Sequence, residues 1–208
     1  MDFGRAFGRA WLRLYGWRVN RHVPDVQKAV IIASPHTSNW DFPHTMAFGL
    51  AMNLRIHWMG KHTMFKWPFR SILRRLGGVP VDRRAPGGLV EQMTEQFRIR
   101  DRFWLVVPPK GTRAPRPYWK SGFYNIAQAA GVPIMLGYLD FGAKEVGLGL
   151  LVHPTGDVRR DMDQIRAFYA GKMGKRPELH GRVRLRAEDE GDADASAPLA
   201  NPDSGTTP

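Results

Sequence analysis

An α/β domain with a largely parallel central sheet flanked by helices is what this sequence predicts, and two patterns predict it. Short apolar runs of strand type occur at Ala29–Ala33, Arg55–Met59, Gly78–Val81, Phe103–Val107, Val132–Tyr138 and Val146–Val152. Between them lie longer stretches with helical spacing, at Phe42–Met52, Met64–Leu76, Leu89–Arg98, Tyr118–Ala130 and Met162–Met173. Parallel strands need a crossover between them, and these stretches are long enough to supply it. No repeat is visible, and 208 residues that are 43% hydrophobic can bury one substantial core, so a single domain is expected.

The chain opens on a helical stripe. Phe3, Phe7, Trp11 and Leu14 recur at helical spacing, while Arg5, Arg9 and Arg13 take other positions. Residues 1–20 are therefore assigned to a basic amphipathic helix, whose apolar face either lies in a bilayer interface or packs on the domain. The acid-free, aromatic and basic stretch MFKWPFRSILRR at Met64–Arg75 is a second candidate for membrane contact. Nothing at the start reads as a signal peptide, and no window of some 18 to 20 apolar residues could span a bilayer. The expected location is cytoplasmic, peripheral to the inner face of the membrane.

Charge is unevenly distributed. All 31 Lys and Arg lie at or before Arg186, against 13 acids, so the body carries +18 and the tail −6. Such a body calls for an anionic partner. Residues 187–208, rich in Asp, Ala, Ser and Pro, are expected to be disordered and without chemistry, leaving 21–186 as the functional domain. The chain has no cysteine, which excludes disulfides, thiolate ligands and thiol nucleophiles.

The segment richest in chemistry is AVIIASPHTSNWDFP, Ala29–Pro43. A strand runs into Pro35 and His36, and Asp41 with Pro43 makes a good helix start. On a continuous helix, five residues turn through about 500°, leaving His36 and Asp41 roughly 140° apart and unable to meet. If the intervening residues form a turn, they can converge. Asp41 could then accept the Nδ1 proton of His36 and leave Nε2 free as a base. The alternative is a turn histidine beside an ordinary N-cap aspartate. The spacings among His44, His57 and His62 fit no tight metal-ligand pattern, so no metal site is assigned.

Three further blocks follow HTSNWD in order: GGVPVDR at Gly77–Arg83, PPKGTR at Pro108–Arg113 after the strand FWLVV, and VPIM at Val132–Met135. Together the four resemble the sequence blocks of the 1-acyl-glycerol-3-phosphate acyltransferase family, over roughly His36 to Met135. The resemblance implies a glycerolipid-acyltransferase-like fold and acyl transfer from acyl-CoA or acyl carrier protein to a lysophospholipid hydroxyl, in phospholipid biosynthesis. It implies His36 as general base and Asp41 as its orienting carboxylate. It places Arg83, Gly111, Thr112 and Arg113 at the acceptor phosphate, and Pro133 near the acyl or acceptor pocket. No cofactor is implied, since the thioester is a co-substrate. One position departs from the family: Lys110 stands where a glutamate usually precedes Gly-Thr-Arg. That change is expected to bring Arg83, Lys110 and Arg113 around one site and to alter the acceptor headgroup. The competing reading is a non-catalytic basic module binding anionic membrane or nucleic acid. No RNP signature or zinc-finger spacing supports nucleic acid as the partner. Basic residues converging beside His36 would favour the enzyme.

Overall fold

The computed structural model describes residues 3–82, 84 and 88–189. Its centre is a seven-stranded sheet in the order β1-β7-β6-β2-β5-β3-β4. The strands are β1 (Arg18–Val19), β2 (Lys28–Ser34), β3 (Ile56–Lys61), β4 (Gly78–Val81), β5 (Phe103–Val107), β6 (Ile134–Asp140) and β7 (Glu145–Val152). All neighbours are parallel except the hairpin of β6 with β7.

The central strands carry consecutive apolar residues through their middles because both faces are covered. On β5, Phe103, Leu105 and Val107 enter one core, while Trp104 and half-buried Val106 enter the other. On β2, Val30 and Ile32 alternate in the same way with Ala29 and Ile31. A continuous apolar run is what a parallel strand buried on two faces requires. The first core is closed by α4 (Gly88–Arg98), α5 (Gly122–Ala130) and α6 (Val158–Tyr169). The second is closed by α1 (Phe3–Leu14) and α2 (Asp41–Met52).

Helix α2 is apolar almost all round, since one side meets the sheet and another meets α1. Gly8 is where α1 comes closest: a Cβ there would fall 2.5 Å from the Ala47 carbonyl oxygen and 2.6 Å from the Ala51 nitrogen. Of the stripe read from the sequence, Trp11 packs inward, whereas Phe3, Phe7 and Leu14 stay exposed. Leu12, off that stripe, is the fully buried anchor.

The helix expected over Met64–Leu76 is shorter. A 3₁₀ turn at His62–Met64 is followed by α3 (Arg70–Arg75) alone, because Pro68 cannot donate within a helix. The acidic residues beginning the tail are also not free of the body. Buried Glu188 accepts from the Leu185 N–H at 2.7 Å and from Arg166 at 2.8 Å. Residues 190–208 lie outside the described residues. Among those described, no helix is long and apolar enough to cross a membrane.

Candidate active site at the carboxyl end of the sheet

Strand β2 delivers the chain to the carboxyl end of the sheet at Ser34, where a cis Ser34–Pro35 bond opens a loop that ends at Asp41, the first residue of α2. That loop brings together what a continuous helix would hold apart. His36 Nδ1 lies 2.8 Å from Asp41 Oδ2. The same oxygen accepts the backbone N–H groups of Thr37 at 2.9 Å and Ser38 at 3.0 Å.

The carboxylate therefore does not cap its own helix, as the sequence suggested. Trp40 occupies the N-cap without a side-chain bond, and Asp41 folds back onto the loop. The reason is burial. Thr37 and Ser38 are shielded from water, and their N–H groups would otherwise be left without acceptors. Asp41 is itself buried, with Oδ1 lacking a hydrogen-bond partner. Because a carboxylate only accepts, the bond places the imidazole proton on Nδ1 and leaves the Nε2 lone pair available.

His36 and Asp41 line an apolar cavity of about 270 Å³ between α2 and the sheet. Phe42, Met46 and Phe48 of α2 face Ile56 and Trp58 of β3 and Leu148 of β7 across it. Arg113, an exposed cation on the segment after β5, lines the same cavity. Among the described residues it pairs with no carboxylate. An oriented imidazole can take a proton from a hydroxyl, an unpaired guanidinium can hold an anion, and the apolar chamber can receive a hydrocarbon chain.

Other sequence-derived residues fall elsewhere. Gly111 takes φ 64°, and its N–H donates to the Pro108 carbonyl at 3.0 Å, so that donor closes a turn and is not offered to an anion. Thr112 is half-buried and its hydroxyl oxygen accepts from the Ala114 N–H at 3.3 Å. Lys110 does not join Arg113 at the cavity. It is only 2% exposed, and Nζ donates to the Leu179 carbonyl at 2.6 Å. The turn sends Lys110 inward and leaves Arg113 outside. Burial holds the Lys110 ammonium below the usual lysine range, with the Asp41 carboxylate pulling the other way. Pro133 lies at the amino end of β6, where its carbonyl accepts from Val30 N–H at 3.0 Å. Ser34, just before the site, pairs with Tyr138. Five residues at about 3.3 Å each separate Pro133 from that level of the sheet. Arg83 lies outside the described residues.

Sequence reasoning overlooked the segment behind the His36–Asp41 loop. The Arg176 N–H donates to Thr37 Oγ1 at 3.2 Å, and a Cβ on Gly174 would fall 2.6 Å from that oxygen. Lys175 sits 4.8 Å above the Trp40 ring. No motif marks Gly174, Lys175 or Arg176. His44 has a structural place: Nδ1 accepts from Trp11 Nε1 at 3.2 Å, within a ring of aromatics that joins α1 to α2.

A family model described as Acyltransferase matches residues 18–135. Among solved structures, the fold resembles the crystal structure of the 1-acyl-sn-glycerophosphate (LPA) acyltransferase PlsC from Thermotoga maritima. The TM-score is 0.53 at 16% sequence identity, covering 83% of this chain and 79% of that one. No curated protein sequence matches significantly.

Proposed function

The chain belongs to the Acyltransferase family, and on that premise we propose that it moves a fatty acyl group from acyl-CoA or acyl carrier protein to the hydroxyl of a lysophospholipid such as 1-acyl-glycerol-3-phosphate. The observation that carries this reading is the 2.8 Å contact of His36 Nδ1 with Asp41 Oδ2, set at an apolar cavity that Arg113 also lines. His36 Nε2 takes the proton of the acceptor hydroxyl as that oxygen attacks the thioester carbonyl. Asp41 stabilises the imidazolium that forms, and the imidazolium returns the proton to the departing thiolate. Arg113 binds the acceptor phosphate through its planar fork. The cavity walls of Phe42, Met46 and Leu148 receive an acyl chain. The chemistry calls on no resident metal or cofactor.

Arg113 lining the His36 cavity favours this reading over a simple basic binding module. The enzyme would work on the inner face of an anionic membrane, held there peripherally.

The test is direct. Purified protein is incubated with labelled acyl-CoA or acyl carrier protein and a panel of lyso-lipids, and the product is identified by mass spectrometry. His36→Ala should remain folded and lose roughly 10²–10⁴ in rate. Wild-type turnover by the folded variant would end the catalytic assignment.

A further inference from the structure

At the other end of the sheet from His36, a second cleft of about 1120 Å³ opens. It is framed by the amino ends of β3, β4 and β5 and the carboxyl ends of α2, α3 and α4. Arg55, Arg74, Arg75, Arg100 and Arg102 line it, against a single acid, Asp101. Among the described residues, none of these five arginines forms an ion pair with a carboxylate.

Arg100 is held in place. Its guanidinium lies 4.8 Å above the Phe103 ring and donates to the Gln96 backbone carbonyl at 3.3 Å and to the Gln96 side-chain oxygen. His57, beside it, adds no charge: burial first, then Arg100, lowers its pKa to about 4. Three helix carboxyl ends could offset part of the positive field. At about half a charge each for a full-length helix, they cannot balance a net +4 from the lining side chains. Leu50, Leu76 and Ile99, all exposed, give the same cleft apolar walls.

Guanidinium forks match phosphate oxygens in pairs, and repulsion among unpaired cations falls when an anion sits between them. We infer that this cleft is a second anion site, distinct from the His36 cavity, which binds the phosphate groups of a phosphorylated amphiphile. The phosphates reach it on a lipid headgroup or on a free phosphorylated molecule. The inference does not depend on the acyl-transfer reading.

The experiment uses the full chain and two probes: inorganic pyrophosphate, and phosphatidylcholine vesicles with or without phosphatidic acid. Pyrophosphate should raise Tm saturably, with an apparent Kd that increases with salt. Arg74→Gln with Arg102→Gln, both exposed, should weaken pyrophosphate binding about tenfold or more. Arg113→Gln should leave it unchanged. If the double variant does not fold, exposed Arg55→Gln serves in its place. Phosphatidic-acid vesicles that compete with pyrophosphate, and lose that competition in the variant, identify a lipid headgroup as the source. Pyrophosphate binding without vesicle competition identifies a free phosphorylated molecule. The site is refuted if pyrophosphate does not bind, if binding survives the variants unchanged, or if it is lost only in Arg113→Gln.

Discussion

At the level of single residues, the contact of His36 with Asp41 is held by a loop whose N–H groups bond the same carboxylate oxygen. Asp41→Asn should lower kcat by about 10²–10⁴ with little change in acceptor KM, because an amide cannot stabilise the imidazolium. An unchanged kcat would dissolve the pair. The H-x-x-x-x-D spacing was legible as a pair only on the condition that a turn intervened, and Lys110 was legible as a charge without a direction. With its ammonium pinned on the Leu179 carbonyl, Lys110→Glu would bury a carboxylate against a carbonyl oxygen. The expected cost is about 3–5 kcal/mol of stability, read as a lower denaturant midpoint, with the ranking of acceptors preserved. A stable Lys110→Glu protein with a new acceptor preference would return this side chain to the pocket. His57 supplies a pH signature. Its folded pKa of about 4 lies below the ordinary 6.5. The unfolded chain thus binds the extra proton between those values, and stability is lost as pH falls from 6.5 toward 4. The contribution is at most about 3 kcal/mol by the cost per pH unit, less after screening for a group that is only half-buried. His57→Phe should flatten that limb of a stability-versus-pH curve; an unaltered limb would mean that His57 is protonated in the fold.

Among the elements, the strands were the most legible. Those between two helical layers carry uninterrupted apolar runs, and the runs at Gly78–Val81 and Phe103–Val107 coincide with β4 and β5. Strand β1 was invisible because two residues, Arg18 and Val19, carry no periodicity. The Met64–Leu76 helix failed for a different reason: aromatic and basic residues at helical spacing were read through a proline. Helix α1 was recognised, but which face it buries depends on a glycine, which hydrophobic spacing ignores. Its contact with α2 rests on Gly8, where any side chain meets backbone. Gly8→Ala should therefore cost roughly 1–3 kcal/mol by overpacking, seen as a lower Tm. Deleting residues 1–17 should also destabilise the fold, since it would uncover Ala47, Phe48 and Ala51 of the second core. Unchanged thermal stability of both proteins would show that α1 is held by something other than this packing.

For the whole molecule, what matters is where charge and exposed apolar surface coincide. From Phe42 to Val81 the chain has no Asp or Glu, yet it carries Arg55, Lys61, Lys66, Arg70, Arg74 and Arg75. Within that stretch several large apolar side chains stand in solvent: Trp67 is 90% exposed, Phe69 62% and Ile72 58%. Soluble surfaces seldom group such residues, and aromatics among cations suit the headgroup boundary of an anionic bilayer. The segment also adjoins the site. Phe42, on the cavity wall, packs edge-on against Trp58, and Trp58 lies against Phe65. Docking through this segment would set the cavity beside the lipid that would supply the proposed acceptor. Each cation near an anionic surface contributes about 1 kcal/mol, so that several together would hold the protein at such a surface. Binding to vesicles containing phosphatidylglycerol should consequently fall steeply as salt is raised, since the Debye length shrinks from about 10 Å at 0.1 M to about 3 Å at 1 M. Trp67→Ala with Phe69→Ala should reduce the binding that remains at high salt, because that residue of affinity is apolar. Neither substitution touches a core contact, so Tm should not move. Vesicle binding that is insensitive to both salt and the double substitution would place the membrane-facing surface elsewhere on the molecule, with exposed Phe3 and Phe7 of α1 as the next surface to test.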